Sequence, residues 1–295
     1  MMKKVLIIGK NSYIAEKFVS YILSRKDTQI EVEGVSASNG EWRENSFKGY
    51  DSVLFLAGKV HQKETNGNRK EYEEINYKLA ISVAKKAQNA GVKQFIYMST
   101  AAVYGNGGQE RGNVMIDENT PLLPKTAYGI SKRKAEIALL QLEEEHNQAM
   151  KVCIVRPPMV YGDNCPGNFM KLCKVALKTP VFPLIHNERS MIAIHNLCEF
   201  LYQVIIKEKR GIYHPQDKEY VETSKLVGYI RKQKGKGILY VKMFNAILRV
   251  LVKKIGVVEK VFGDYKYKKE ISEYEAVVYQ KYRMKDVVRK ILSVE

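Results

Sequence analysis

The 295-residue chain reads as an α/β protein: a Rossmann-type, doubly wound parallel sheet followed by a smaller mixed α/β substrate domain. Three observations predict this. Short apolar runs alternate with longer stretches of helical periodicity. The first run, Lys3–Ile8, passes through Gly9 straight into a helical pattern, the layout of a dinucleotide cradle. Lastly, Tyr128 and Lys132 lie four residues apart at the start of a helical segment, downstream of the hydroxyl pair Ser99-Thr100.

In chain order, Met1-Met2-Lys3-Lys4 opens like a secretory signal, but only four apolar residues follow, so Lys3–Ile8 reads as a buried strand. In the segment from Gly9 to Ala15, Ser12 and Ala15 stand where a dinucleotide loop commonly has glycine; both are small enough for close backbone approach. A second strand covers Gln29–Val35. It ends in Ser36-Ala37-Ser38, with no carboxylate where an adenosine ribose would be bound, which leaves Ser36 as the ribose contact and does not exclude NADP. The third strand, Asp51–Leu56, runs into Ala57-Gly58, small residues against which a cofactor can lie. Tyr72–Gln88 is a helix bearing Asn76, and Gln94–Met98 is the fourth strand. A helix from Ala127 to about His146 and a fifth strand, Val152–Val155, complete the alternation, ending at Arg156-Pro157. Ligands of such a sheet belong beyond the carboxyl ends of its strands, where Ser99-Thr100 falls.

The formal net charge is +17, and residues 205–295 alone hold 22 basic and 11 acidic residues, a balance that favours anionic partners. Nucleic-acid binding would rest on this charge alone, because no recognition motif accompanies it. Cys153, Cys165, Cys173 and Cys198 have neither paired spacing nor a neighbouring histidine, so reduced thiols and no metal site are expected. His61, His195 and His214 read as structural or surface residues. No apolar stretch approaches the ~18 residues of a membrane span. Residues 238–262 mix Met243, Phe244, Ile247, Leu248, Leu251 and Val252 with Lys242, Arg249, Lys253 and Lys254. That pattern suits a helix packed in the substrate domain with a solvated basic face, or one lying on an anionic membrane.

A phenol has a pKa of about 10 and is a poor base at neutral pH. A cation one helical turn away would favour the phenolate, so the expectation is that Lys132 lowers Tyr128. The same spacing recurs at Tyr13/Lys17 and Tyr265/Lys269. What distinguishes Tyr128/Lys132 is its place after the fourth strand and Thr100 and before the fifth strand.

Together these motifs resemble the extended short-chain dehydrogenase/reductase superfamily, in its branch of NAD-dependent nucleotide-sugar epimerases and dehydratases. The residues concerned are Gly9 to Ala15, Leu56-Ala57-Gly58, Asn76, Ser99-Thr100 with Val103-Tyr104-Gly105, Tyr128 with Lys132, Arg156-Pro157, Arg189-Ser190-Met191-Ile192 and Asn196-Leu197. Segments Tyr213-His214-Pro215-Gln216 and Val261-Phe262-Gly263 are similar to enzymes of bacterial surface-polysaccharide synthesis, either UDP-galactose 4-epimerase-like or UDP-4-keto-6-deoxyhexosamine reductase-like.

The resemblance implies roles. Tyr128 would move a proton at the sugar C4 hydroxyl, Thr100 would bond the same oxygen, and Lys132 would hold the nicotinamide ribose. Gly9, Ser12, Tyr13, Ile14, Ser36, Ala57, Gly58, Asn76, Ser99 and Pro157 would line an NAD site. Arg189 would pair with the substrate diphosphate and Asn168 would contact the UDP-sugar. Sugar 4,6-dehydratases of the superfamily carry Asp-Glu after the hydroxyl residue; Ala101-Ala102 stands here, which disfavours dehydration. There remain 4-epimerisation of a UDP-hexose or UDP-N-acetylhexosamine, NAD(P)H-dependent reduction of a UDP-4-keto-6-deoxy sugar, or, from another class, a nonenzymatic nucleotide-sensing or scaffold protein. The implied organisation is a cofactor domain over 1–165, rejoined by 189–202, with 166–188 and 203–295 binding substrate. A cytoplasmic homodimer, with peripheral contact at the inner membrane face, completes the expectation.

Overall fold

The computed structural model describes residues 2–60, 69–145, 149–243, 245–275 and 277–293. His61 and Phe244 lie outside them. Six parallel strands form the central sheet: β1 (Lys3–Ile8), β2 (Ile30–Val35), β3 (Ser52–Phe55), β4 (Gln94–Met98), β5 (Lys151–Val155) and β6 (Gly211–Tyr213), in the order β6-β5-β4-β3-β1-β2. Both faces of the inner strands are covered, and β1, β3, β4 and β5 are correspondingly apolar, whereas the edge strand β2 carries the exposed Glu31 and Glu33. In β1, Val5 and Ile7 point into one layer and Leu6 and Ile8 into the other. The first layer receives α1 (Tyr13–Ser24) through Ala15, Phe18 and Ile22. The second receives α2 (Leu79–Asn89) through Ala80, Val83, Ala84 and Ala87, and α3 (Ala127–Glu145) through Ala135, Leu139 and Leu142. Strand order reverses between β1 and β3, and this is where such a sheet opens a ligand crevice.

The predicted helix over 72–88 departs from one regular helix. Arg69–Tyr72 is a single α turn, Glu73–Lys78 is a π segment containing Asn76, and α2 follows. Such wide turns insert a residue and re-aim a side chain, often at functional sites.

Beyond β5 the chain builds a second core. There α4 (Asn168–Lys178) packs with α6 (Thr223–Gln233) and α9 (Met284–Ser293) through Phe169, Cys173, Ala176, Val227, Ile230, Val288 and Ile291. Between them, α5 (Ile194–Ile206) returns to the sheet and lies against α1. The edge strand β6 falls inside the stretch expected to bind substrate. It pairs with β5 over only Gly211, Ile212 and Tyr213, too short a run to announce itself in the sequence. Three more parallel pairs hold the second part together: Met159–Tyr161 with Met191–Ala193, Val181–Pro183 with Leu239–Val241, and Asn113–Ile116 with Asp264–Tyr267. The last of these puts Tyr265 on a strand, so the Tyr265/Lys269 spacing is not a helical pair.

A buried carboxylate joins the parts. Asp217 accepts from Tyr161 Oη at 2.7 Å, Asn196 Nδ2 at 2.7 Å and the Ala193 amide at 3.1 Å. Burial raises its pKa, and the Asn196 and Tyr161 hydrogen bonds pull it back. Asn196 in turn accepts the Lys281 and Tyr282 amides, fastening the final segment.

Candidate active site

The site grows out of the carboxyl ends of β1, β3 and β4. At the first, Gly9 adopts φ +95°, and a Cβ there would stand 2.7 Å from the Ala57 nitrogen, so β1 and the residues after β3 can meet only with glycine present. The Gly9 and Lys10 amides donate to the Val35 carbonyl, which draws the loop toward the end of β2. Ser12 caps α1, its hydroxyl accepting from the Ala15 amide at 3.3 Å. The remaining first-turn N–H groups and the helix dipole face the crevice, an arrangement suited to a pyrophosphate. Tyr13, on that turn, is packed beneath Gly162, and its hydroxyl is buried without a partner among the described residues.

At the end of β2 the structure supplies what the local sequence lacks. Glu41, in the one-turn helix Glu41–Glu44, folds back so that its carboxylate accepts the Ser36 amide at 3.0 Å and Lys10 Nζ at 3.0 Å. The Ser36 hydrogen bond, then Lys10, holds its pKa below the usual carboxylate value. A carboxylate from beyond the strand thus lies at the end of β2, where Ser36-Ala37-Ser38 offers none. Ser36 itself spends its hydroxyl on Ser38, 3.1 Å away. A Cβ on Gly58 would meet Asn76 Oδ1 at 3.3 Å and Lys132 Nζ at 3.5 Å, so Gly58 lies directly against both. Asn76 is buried, accepting the Lys59 amide at 2.9 Å and donating to Ser131 Oγ at 3.1 Å. These features fit a dinucleotide lying from Glu41 across the α1 N-terminus to Lys132.

At the end of β4, Thr100 caps the short turn Ala101–Tyr104, and its hydroxyl is hydrogen-bonded to the Tyr128 phenol. Gly129 permits this meeting: a Cβ there would sit 2.6 Å from the Ala102 carbonyl oxygen, so α3 can press against the turn only without one. Burial pushes the Tyr128 phenol up to about 12, and the Thr100 hydrogen bond partly opposes it. The Lys132 ammonium donates to the Met98 carbonyl at 2.7 Å and stands 4.6 Å from the centre of the Tyr97 ring. Burial lowers it to about 7.

Ser99, expected at the cofactor, is turned into the protein, where its hydroxyl donates to Glu136 Oε1 at 2.5 Å. Glu136, one turn beyond Lys132, is fully buried and forms a two-pronged pair with Arg156, Nε to Oε1 at 2.9 Å and Nη2 to Oε2 at 2.8 Å. Arg156 continues through Tyr104 Oη, 2.7 Å away, to His214 Nε2, a further 2.7 Å on. Burial and Arg156 drive His214 down to about 3, so it stays neutral. This chain anchors the ends of β4 and β5 on either side of Thr100. Sequence reasoning missed Glu136, although the four-residue spacing of 128, 132 and 136 marks one helix face.

The remaining expected residues are dispersed. Ile14 is half-buried on the first turn of α1, and the Pro157 carbonyl accepts the Ala101 amide at 3.0 Å. Asn168 opens α4, exposed. Arg189 donates to the Gly263 carbonyl at 2.8 Å and that of Glu259 at 3.3 Å, at the C-terminus of helix α8 (Gly256–Phe262). Burial lowers its pKa, and no carboxylate is within ion-pair reach among the described residues. Only one guanidinium nitrogen is used there, so most of its donors are left for another acceptor. No group of metal-ligating side chains occurs among the described residues.

The model of the NAD dependent epimerase/dehydratase family matches residues 5–205. A UDP-glucose 4-epimerase of Vibrio cholerae is 29% identical over 227 residues, covering 74% of this chain and 67% of that protein. An N-acetyl-alpha-D-glucosaminyl-diphospho-ditrans,octacis-undecaprenol 4-epimerase of Escherichia coli O157:H7 is 26% identical over 200 residues, 66% of this chain and 58% of that one. Among solved structures, UDP-glucuronic acid 4-epimerase from Bacillus cereus in complex with NAD superposes with a TM-score of 0.74 at 14% identity, covering 99% of both chains, and shows the shared fold.

Proposed function

Because this chain belongs to the NAD dependent epimerase/dehydratase family, we propose that it is a 4-epimerase acting on a sugar linked to a diphosphate, with a UDP-hexose or UDP-N-acetylhexosamine as the leading substrate. The observation that carries this reading is the Thr100–Tyr128 hydroxyl pair beside Lys132, at the mouth of a dinucleotide cradle and without the acid–base pair that dehydration needs. NAD, when bound, supplies the oxidant and returns the hydride. The Tyr128 oxygen takes the C4–OH proton and later gives it back, while Thr100 holds the same sugar oxygen. At about 12 the phenol is protonated at neutral pH, so loading of the site must lower it. Lys132, whose ammonium lies against Gly58 and the Met98 carbonyl, is the cation that would do so. Glu41 accepts an adenosine ribose hydroxyl and disfavours a 2′-phosphate, which favours NAD over NADP. Arg189 meets the diphosphate with its remaining donors.

The 4-ketoreductase reading shares all these groups and differs in whether the hydride returns to the same sugar. The V. cholerae and E. coli relatives, both named as 4-epimerases, support epimerisation. A homodimer through the outer faces of α2 and α3 is part of the reading, since Ile130 and Ile137 lie exposed seven residues apart on α3. Incubation with UDP-glucose, UDP-galactose and their N-acetylated forms, followed by proton NMR of C4, tests it. Interconversion without added reductant supports epimerisation; consumption of NAD(P)H with a 4-keto sugar, and no interconversion, replaces it with reduction.

A further inference from the structure

We infer that the face formed by residues 239–260 docks on an anionic lipid bilayer. The hairpin of α7 (Asn245–Lys254) and α8 is the least buried part of the described fold. Along α7 only Val252, 8% exposed, is fully inside; Asn245, Leu248 and Leu251 are half-buried on the same side. The opposite side carries Ile247 at 58% exposure and Val250 at 52%, three residues apart on one helical face, and Met243, in the turn before the helix, is 78% exposed. Val257, 73% exposed, continues the apolar surface onto α8, and Leu239 and Val181 are exposed neighbours across a strand pair at its other end. Isolated exposed apolar residues are ordinary, but a run of this extent marks an interaction surface.

Charge identifies the occupant. Residues 236–260 contain six basic residues and one acidic, Glu259, which is already paired with Arg111 at 2.5 Å. Arg249, Lys253 and Lys254 are exposed beside the apolar stripe, Lys253 also pairing with Glu110 at 2.5 Å. A protein partner's apolar face would be served by the stripe alone, and a polyanion by the cations alone. Both together, on a helix of low overall hydrophobicity, match the boundary between headgroups and acyl chains of an acidic membrane. No helix of the described residues is long and apolar enough to cross one, so the contact is peripheral.

The face is tied mechanically to the site. Strand Asp264–Tyr267 follows α8 directly, and Tyr265 Oη donates to the Ala101 carbonyl at 2.8 Å, beside Thr100. Arg189 binds the carbonyls that end α8. Docking through this face brings the substrate side of the site close to the bilayer surface, where a sugar diphosphate carried on a lipid would be presented. This last step rests on the sugar-diphosphate reading above; the docking itself does not.

Flotation with vesicles of phosphatidylcholine containing 30 mol% phosphatidylglycerol, at low salt, tests the inference with the full chain. The protein is expected to float with these vesicles and not with pure phosphatidylcholine. Arg249→Glu with Lys253→Glu should cut partitioning at least about tenfold. Met243→Ser with Ile247→Ser should also reduce it severalfold, and an Ile247→Trp reporter should shift to the blue on vesicle addition, the native Trp42 being buried. Absence of flotation with acidic vesicles overturns the inference. So does binding that charge reversal removes but loss of the apolar pair leaves intact, which would mean a polyanion surface. Conversion of a dimer to a monomer by Ile247→Glu, with no vesicle binding by the parent protein, assigns the face to a second copy and overturns it as well. NMR epimerase assays on soluble UDP-sugars should be unchanged in the charge-reversed protein, which separates failure of docking from failure of the catalytic reading.

Discussion

The sheet and the C-terminal cap are held together by different means. Strands β1, β3, β4 and β5 are apolar on both faces, and two helix layers close over them. The cap is joined to this slab through a few buried polar hubs: Asp217 with Tyr161, Ala193 and Asn196, and Arg156 with Glu136, Tyr104 and His214. Apolar contact is non-directional and tolerates small shifts, whereas a buried carboxylate demands each of its donors. The sheet therefore fixes the strand ends that carry Gly9 and Thr100, and the hubs fix how the C-terminal segments attach to it.

The largest effect expected on that division is at the Thr100–Tyr128 pair. Tyr128→Phe should lower kcat by about 10³-fold or more while thermal unfolding stays near the parent value, as activity assays and calorimetry would show. Unchanged turnover would remove Tyr128 from the proton path. Next, Asp217→Ala leaves the Tyr161, Ala193 and Asn196 donors unpaired in the interior. It should cost about 3 kcal/mol in urea unfolding and raise the substrate KM more than the cofactor Kd. A larger change in cofactor affinity would mean that the two regions are not separable.

The pH dependence of stability discriminates further. The folded pKa of Lys132 lies near 7, below its unfolded value of about 10.4. Between these values the unfolded chain binds the additional proton, so stability rises with pH, by at most about 1.4 kcal/mol per unit from this group. The Lys132→Met variant should show a shallower rise from pH 7 to 9. The high phenol pKa likewise predicts that kcat/KM increases with pH through the same range, since the base acts deprotonated. The smallest effect expected is at the edge of the cradle, where Glu41→Gln should reduce the preference for NAD over NADP by roughly fivefold.

The two regions also differ in how well the sequence reveals them. β1 and β4 were readable to the residue, because strands buried on both faces are unbroken apolar runs bounded by polar or glycine residues. The positions of Thr100 just past β4 and of Tyr128 at the start of α3 were readable in that frame. The Glu41 contact was not, because it depends on a one-turn helix folding back onto Ser36 and Lys10. Nor was the Lys132 partner, since helical spacing gives the face and not the rotamer. The cap's strands are three or four residues long, too short for an alternation to mark them, so β6 and the pairing of Asp264–Tyr267 with Asn113–Ile116 emerge only from tertiary contact. For residues 238–262 the sequence allowed packing or membrane contact, and the structure shows a helix packed on one side and apolar on the other.

The nicotinamide content of the purified chain tests the central claim most directly. An epimerase regenerates its cofactor in every cycle and has no need to release it. The protein, denatured after purification without added nucleotide, should yield a near-stoichiometric amount of NAD. A chain that emerges empty, binds NAD(P)H reversibly and consumes it with a 4-keto sugar would contradict epimerisation, and one that binds no nicotinamide at any concentration would contradict the catalytic account as a whole.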